Sequence, residues 1–435
     1  MAQMKRIRSA GCLPASPNES ISSAPALIET KSLHLYQLYC MKSRHFLLLS
    51  LGFAVSVSAH AQKLSGKVLD AGTGQPIPYA SVGVPGTSQG TTSNAEGEFE
   101  LAGKLPARLI VSELSHRADT VALTAGQTTV VVRLQPAAVA LPDVVPGAYT
   151  TELIRKAYRH LQRTNRPTYG QAFYRQITRL DNDPVEVQEM VWHTEASGIG
   201  IEKTAPYQGR YAEKKALLKF KDFSLYTRGV TVTSLSGDST KSKQTLSLDP
   251  TASCTFQLLG ISSDGNRELV EIGFKDKTNP EREYGSLLID ANSYQLLRYR
   301  LVTCIFSTKI NNPLFKLQNN STAFEWVFRP TADGATVLDY LKVDHQETLK
   351  RHLKPDMSVR ASAFTVLYGG RATAPANVTY HSAKKGDGAD LQAIKNLPYD
   401  PAFWQNNSVV KRTPLEEATI KAFEQKGAFG TLLTP

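Results

Sequence analysis

Residues 64–101 read LSGKVLDAGTGQPIPYASVGVPGTSQGTTSNAEGEFEL. Leu64, Gly66 and Val68 alternate, then Ala80, Val82 and Val84, then Phe99 and Leu101. Side chains two apart share one face of a strand. Between these runs lie Asp70-Ala-Gly-Thr-Gly and the polar stretch Gly86–Asn94, both rich in turn residues. Leu109–Val111, Thr120–Leu123 and Thr129–Leu134 extend the series. Alternating strands with a turn signal every 8–12 residues or so predict an all-β sandwich over residues 62–135.

The order of the turns and strands resembles the carboxypeptidase-regulatory-like domain, a transthyretin-like sandwich found in envelope proteins of the Bacteroidetes. The resemblance is carried by Gly66 and Val68, by Thr73, Gly74, Pro76 and Ile77, by Ala80 and Val82, by Gly86, Thr87, Gly90 and Thr91, and by the turn at Asn94, Gly97 and Phe99. LIVSELSHRAD at 109–119 is similar to the family's next strand, with Ser115-His116 where Gly-Tyr is usual. The resemblance implies an accessory binding or scaffolding module. It does not imply a peptidase.

On the N-terminal side, Lys42 and Arg44 precede the apolar run Phe46–Val57, and Ala59-His60-Ala61 fits a small-x-small cleavage site. That is the layout of a secretory signal peptide over 41–61, which predicts export to the periplasm or the periphery of an outer membrane. The apolar run is shorter than the roughly 20 residues needed to cross a bilayer, so the mature chain is expected to carry no transmembrane segment. Residues 1–40 are polar and aperiodic and precede a leader that opens on its own Met41. They read as a start assigned upstream of the true one, the alternative being a cytoplasmic extension on a membrane-anchored form.

On the C-terminal side, the Pro- and Ala-rich residues 136–149 read as a linker. A helix is expected next, capped by Thr150 or Thr151, with Leu153, Ile154, Ala157, Tyr158 and Leu161 on one face. From 150 to 400 the pattern is again β. Gln171–Arg179 and Val185–Trp192 flank Asp181-Asn-Asp-Pro, a hairpin signal. Glu268–Phe274, Gly285–Ile289, Tyr294–Ile305, Ala323–Phe328, Thr336–Val343 and Val359–Val366 are further strands, and Ser234–Ser253 reads as a mobile loop. GSLLIDANSYQLLRYRL at 285–301 resembles hairpins of periplasmic lipoprotein-carrier half-barrels. YGQAFYRQ at 169–176 and PYDPAFW at 398–404 resemble larger Bacteroidetes proteins that couple the sandwich to such a domain. The expected fold is mainly β: a small sandwich followed by a larger curved antiparallel sheet or half-barrel with a few helices. Thr413-Pro-Leu-Glu416 is a capping box, which starts a closing helix within the tail at 401–435.

The net charge is +11 over 435 residues. Before Gln62 stand six cations (Lys5, Arg6, Arg8, Lys31, Lys42, Arg44) and two anions (Glu19, Glu29), a surplus of four, so the mature chain keeps +7. Without a long Lys/Arg block this predicts no nucleic-acid partner. A hydrophobic fraction of 41% against 20% charged disfavours disorder. The mature chain is also too short after the sandwich for a plug and a 22-stranded transporter barrel.

No catalytic or cofactor motif emerges. H-E-x-x-H, G-x-S-x-G, G-x-x-x-x-G-K-[ST] and G-x-G-x-x-G are missing, and none of His116, His160, His193, His345, His352 and His381 has a Glu three residues on. Asp344, His345, Glu347 and His352 form the best metal candidate, read instead as a solvated strand end. Asn94, Glu96, Gly97 and Glu98 are read as an Asx turn in place of a calcium loop. The carboxylate pairs Asp181/Asp183 and Glu186/Glu189 lack an established separation across a cleft. Tyr169, Phe173, Tyr174, Trp192, Trp326 and Trp404 could line an apolar ligand site, with core packing as the plainer reading. Lys214, Lys215, Lys219 and Lys221 form a basic stripe, read as a solvated face and alternatively as a contact for anionic headgroups. Cys254 and Cys304 could pair as a disulfide or stay as buried thiols.

These readings predict a non-enzymatic envelope protein without a cofactor, whose partner is an envelope protein, glycan or lipid. Carriage of an apolar ligand is the alternative, and a hydrolase with an unrecognised site comes third. Processing at the leader should leave Gln62 as the first residue, and the intact mass of protein recovered from the envelope checks it.

Overall fold

The computed structural model describes residues 63–87, 89–102, 105–140, 147–214, 227–228, 230–235, 244–264, 267–304, 314–331, 333–382, 393–394, 396–406 and 409–429. The leader at 41–61, residues 1–40, and Lys215, Lys219 and Lys221 of the basic stripe lie outside the described residues.

Two sheets make the sandwich. One has the order β4-β1-β7, from β1 (Lys63–Asp70), β4 (Glu98–Ala102) and β7 (Thr129–Leu134). The other has the order β3-β2-β5-β6, from β2 (Ser81–Gly83), β3 (Gly90–Thr92), β5 (Arg108–Ser112) and β6 (Asp119–Ala122). β1 runs antiparallel to β4 and parallel to β7. Leu64, Val68, Val82, Phe99, Leu101, Leu109, Val111, Val132 and Leu134 close the core between the sheets. Two glycines of the quoted stretch have steric reasons. Gly66 sits opposite Phe99, whose ring lies over it, and a Cβ at 66 would fall 2.2 Å from that ring. Gly97 has φ +72°, and its Cβ would fall 2.5 Å from the Val68 carbonyl oxygen. Beside it, the Asn94 Oδ1 accepts from the Glu96 and Glu98 amides at 3.0 and 2.8 Å, so the loop is an Asx turn.

A twelve-stranded antiparallel sheet follows. Its members in chain order are β8 (Ala138–Ala140), β9 (Thr168–Leu180), β10 (Asp183–Ser197), β11 (Gly200–Glu213), β12 (Cys254–Asp264), β13 (Arg267–Asp276), β14 (Glu283–Asp290), β15 (Leu296–Thr303), β16 (Phe315–Pro330), β17 (Thr336–Arg351), β18 (Lys354–Arg371) and β19 (His381–Ser382). The spatial order is β19-β11-β10-β9-β18-β17-β16-β15-β14-β13-β12-β8. Asp181 and Asn182 join β9 to β10 with φ +47° and +70°, the doubly positive turn that suits the twist of a two-residue hairpin.

The stretch read as a linker is partly ordered into this sheet: Ala138–Ala140 pairs with β12 at its edge. Helix α1 (Gly147–Thr164) begins before the expected caps. Thr150 and Thr151 lie inside it and donate their hydroxyls back to the Gly147 carbonyl at 3.0 and 3.1 Å. Of the Ser234–Ser253 loop, Pro250–Ala252 is a short 3-10 turn and Leu246 is buried against the large core.

Parts of both faces of the large sheet are covered. On the first face, Leu153, Ile154, Ala157, Tyr158 and Leu161 of α1 pack on residues such as Met190, Ile272, Ile289 and Leu341. On the second, Phe173, Val191, Tyr340 and Phe364 meet Trp404, Val410 and the sandwich residues Tyr79 and Leu114. The tail contains two helices, α2 (Pro401–Asn406) and α3 (Pro414–Gln425). Thr413 and Glu416 complete the capping box, and Ile420 and Phe423 pack on Ile177, Val187 and Ala212.

Gly97→Ala should lose the roughly 1–2 kcal/mol of a left-handed alanine and add the clash with Val68. Gly74→Ala, at the same φ of +72° but with nothing within 4 Å, should lose only the backbone part. Urea denaturation of the two variants should rank them in that order.

Candidate functional site

The six candidate aromatics do not make one lining. Phe173 and Tyr174 are consecutive on β9, so the pleat sends them to opposite faces. Tyr174, Trp192 and Trp326 join the first-face core beneath α1, each 1% exposed or less. Tyr174 stacks on Trp192 with ring centroids 5.3 Å apart. Phe173 and Trp404 belong to the second face, and Tyr169 packs on Tyr380 at 5.7 Å. The chain's own side chains, those of α1 above all, occupy the space that a first-face ligand would need.

Of the two readings for the cysteines, the structure holds free thiols, Cys254 buried and Cys304 half-buried. Cys254 opens β12 and Cys304 follows β15, with β13 and β14 between them. Three interstrand steps of about 4.8 Å put the two about 14 Å apart, more than twice the reach of a disulfide.

The metal candidate is divided by the pleat. His345 and Glu347 share the first face, with Nε2 and Oε1 3.3 Å apart, and the Thr322 hydroxyl lies 2.8 Å from His345 Nδ1. Asp344 points to the other face, where Lys342 pairs with it at 2.7 Å and the Ser362 hydroxyl donates to it at 2.9 Å. β17 ends at Arg351, so His352 sits in the following turn and does not share a strand face with Asp344. Among the described residues no group of three or more His, Cys, Asp or Glu is arranged to hold a metal. Asp181 and Asp183 belong to the β9–β10 turn region, where Asp181 accepts from the Ser358 amide and Asp183 pairs with Lys214. Glu186 and Glu189 face opposite sides. Glu186 accepts from Gln176 on the first face at 3.1 Å.

Glu189 lies at the centre of a buried ion cluster on the second face that sequence reading did not identify. Strand register places Arg175 opposite Glu189, and Glu189 opposite Arg210. Arg175 Nε donates to Glu189 Oε1 at 2.7 Å, and Arg210 Nε to Oε2 at 2.6 Å. Helix α3 completes the cluster: Glu416 accepts from Arg175 at 3.3 Å and Glu424 from Arg210 at 2.9 Å. The Arg210 guanidinium lies over the Trp404 and Phe429 rings, at 4.8 and 4.6 Å from their centroids. All three central side chains are no more than 3% exposed. Burial alone would raise the Glu189 carboxyl. Arg210 and then Arg175 more than offset it and hold it at about 2. The sequence signal was a charged residue on each of three adjacent strands, but it becomes visible only once the register is known.

The seam between the sandwich and the large sheet holds a further polar group. Ser81 donates to Asp339 at 2.9 Å, Thr91 to the Val409 carbonyl at 3.1 Å, and Asn94 to the Arg412 carbonyl at 3.4 Å. Lys411 pairs with Glu98 at 3.0 Å. Tyr79 lies 5.5 Å from Tyr340, ring to ring. The imidazole of His116 is held between Asp70 and Glu113, at 2.8 and 2.6 Å. The Thr73 amide, then His116, holds the Asp70 carboxyl down at about 2. The cavity that Tyr79, Glu113, His116, Arg267 and Asp339 line measures about 140 Å³. Small-molecule sites run from about 300 to 1,000 Å³, so this space takes a few waters and serves as a seam.

Residues 64–145 match the family model of the CarboxypepD_reg-like domain. No curated protein matches the chain. Among solved structures, a LolA superfamily protein from Nitrosomonas europaea is similar at 9% identity, over 53% of this chain and 96% of its own, with a TM-score of 0.21. A putative membrane-associated protein of unknown function from Bacteroides fragilis is similar at 11% identity, over 71% of this chain and 97% of its own, with a TM-score of 0.14.

Glu189→Gln leaves two buried guanidiniums sharing a neutral partner. It should cost about 3–5 kcal/mol, the usual result of breaking one side of a buried ion pair, read from the urea midpoint. A carboxyl depressed on folding stabilises fully above its unfolded value. The wild type should therefore lose the Glu189 contribution as pH falls from about 4.5, the unfolded value, towards 2, and the variant should lack that part of the acid transition. Glycines, turns and strand register agree with the family match: residues 64–145 of this mainly β chain are a CarboxypepD_reg-like domain, followed by a larger β-sheet domain.

Proposed function

We propose that the chain is a non-catalytic cell-envelope protein in which the CarboxypepD_reg-like domain is a binding or scaffolding module held on a large β support. The observation that carries this reading is the unequal treatment of the sandwich's two edges. The β3 edge is taken up by the protein itself: Thr92 bridges to Val410 beside the Thr91 and Asn94 hydrogen bonds. At the far end of the same sheet, β6 pairs only with β5 among the described residues. Ile110 on the neighbouring β5 is 41% exposed. An open edge with an exposed apolar neighbour suits strand addition by a partner, in which main-chain hydrogen bonds supply affinity and side-chain pockets supply selectivity. The leader read at 41–61 supports an envelope location.

The first-face packing argues against the carrier reading, because α1 and the Trp192–Trp326 aromatics fill the interior that an acyl chain would occupy. Native mass spectrometry of protein purified from the envelope should show the mature chain without a lipid adduct. A stoichiometric acyl-bearing adduct would move the assignment to a carrier. The variant Ile110→Asp should keep the wild-type melting temperature and lose retention on a washed envelope fraction. Undiminished retention would sink the edge as the binding surface.

A further inference from the structure

The second face of the large sheet carries two arginines that form no ion pair among the described residues. Arg175 and Arg179 lie on the same side of β9, four residues apart, and their neighbours differ. Arg175 faces Glu189 across the β10 border. Arg179 faces Pro184 on β10 and Arg360 on β18. Side chains directly opposite in an antiparallel pair have Cβ atoms about 4.5–5.5 Å apart, and like charges there destabilise the sheet. Neither Arg179 nor Arg360 forms an ion pair among the described residues. Arg179 Nε is buried without a hydrogen-bond acceptor. Two acidic groups of this region are engaged: Glu416 accepts from Arg175 and from the Thr413 amide, and Asp344, which lines the same cleft as the arginines, is held by Lys342 and Ser362.

The register continues the row. Arg360 lies opposite Gln346 on β17, and Ser321 on β16 is the residue opposite Gln346. Arg179, Arg360, Gln346 and Ser321 thus stand side by side across four strands. Together with Asn182 and Ser362 they line a cleft of about 550 Å³, within the range of small-ligand sites. Two guanidinium forks, flanked by amide and hydroxyl donors, match a group with several acceptor oxygens and a double negative charge.

We propose that this cleft binds a phosphate group, gripped by Arg179 and Arg360, with Gln346 and Ser321 as neutral donors. The site is independent of the sandwich edge and is formed by the large sheet, its β9–β10 turn and Leu415 of α3. Burial lowers the pKa of Arg179, and the nearby Glu416 only partly opposes this, as for a cation lacking its counter-ion.

The test uses the mature chain at constant ionic strength. Inorganic phosphate should bind saturably by calorimetry and raise the melting temperature, and chloride should not. Arg360→Gln, a change at an exposed position, should weaken phosphate binding at least tenfold, and Arg166→Gln, at an exposed arginine paired with Asp333, should leave it unchanged. Without phosphate, Arg360→Gln should melt at or above the wild type because a like-charge pair has been relieved. A clearly lower melting temperature would mean that Arg360 has a protein partner, which overturns the proposal. Cosedimentation with phosphatidylcholine vesicles, with and without phosphatidic acid, separates the sources. Capture by phosphatidic acid that is lost in Arg360→Gln identifies a lipid headgroup, and phosphate binding without capture identifies a soluble phosphate. Equal behaviour of wild type and Arg360→Gln in both assays would also overturn it.

Discussion

Two arginines share one buried glutamate, and that sharing ties the end of the chain to the middle of the sheet. Glu189 receives Arg175 from one neighbouring strand and Arg210 from the other, so its charge is spent within the sheet. The pair then exceeds Glu189 by one positive charge, and α3 supplies Glu416 and Glu424 to the same guanidiniums. An excess cation in a desolvated place is costly until a carboxylate arrives. The ions therefore favour one position of α3, and the apolar contacts of Ile420 and Phe423 follow from it. Trp404 and Phe429 add ring faces to the Arg210 guanidinium, where its charge is least hydrated.

That arrangement explains why the sheet has no solvated side along β9 and β10. An antiparallel sheet usually buries one face and exposes the other. Here α1 covers one face, and the tail with the sandwich covers the other. Burial along β9 and β10 is accordingly continuous, with no alternation from Phe173 to Trp192 outside the turn region. The polar residues at these positions are held by partners: Gln176 by Tyr174 and Glu186, Arg175 by Glu189.

The sandwich was legible in the sequence because its information is local. Gly97 needs a left-handed φ, Gly66 must leave room for Phe99, and Asn94 closes its own turn. Each of these is settled within a few residues of the quoted stretch. The hairpin at Asp181-Asn182 and the capping box at Thr413 were legible for the same reason. Sequence reading missed β11 and β12, and shortened β16, β17 and β18, because their polar residues break a simple apolar alternation. Arg210 lies inside β11, where Glu189 and Glu424, both distant in sequence, satisfy it. The aromatic candidates failed as a set for a related reason. Residue type suggested one surface, but consecutive Phe173 and Tyr174 belong to two.

Register also gives the same residue type different consequences along one strand. Arg175 and Arg179 share a side of β9, and one step across the sheet gives the first a carboxylate and the second another arginine. Protein interiors seldom leave a guanidinium nitrogen without an acceptor, because losing water without replacing its hydrogen bonds costs free energy. The cluster around Glu189 gives each of its arginines carboxylates from the chain. At Arg179 and Arg360 the described residues supply amide and hydroxyl groups, and the acidic residue lining the cleft, Asp344, is already paired with Lys342. The same physical demand that fixes the tail at one point of the second face therefore calls for a ligand from outside at the other.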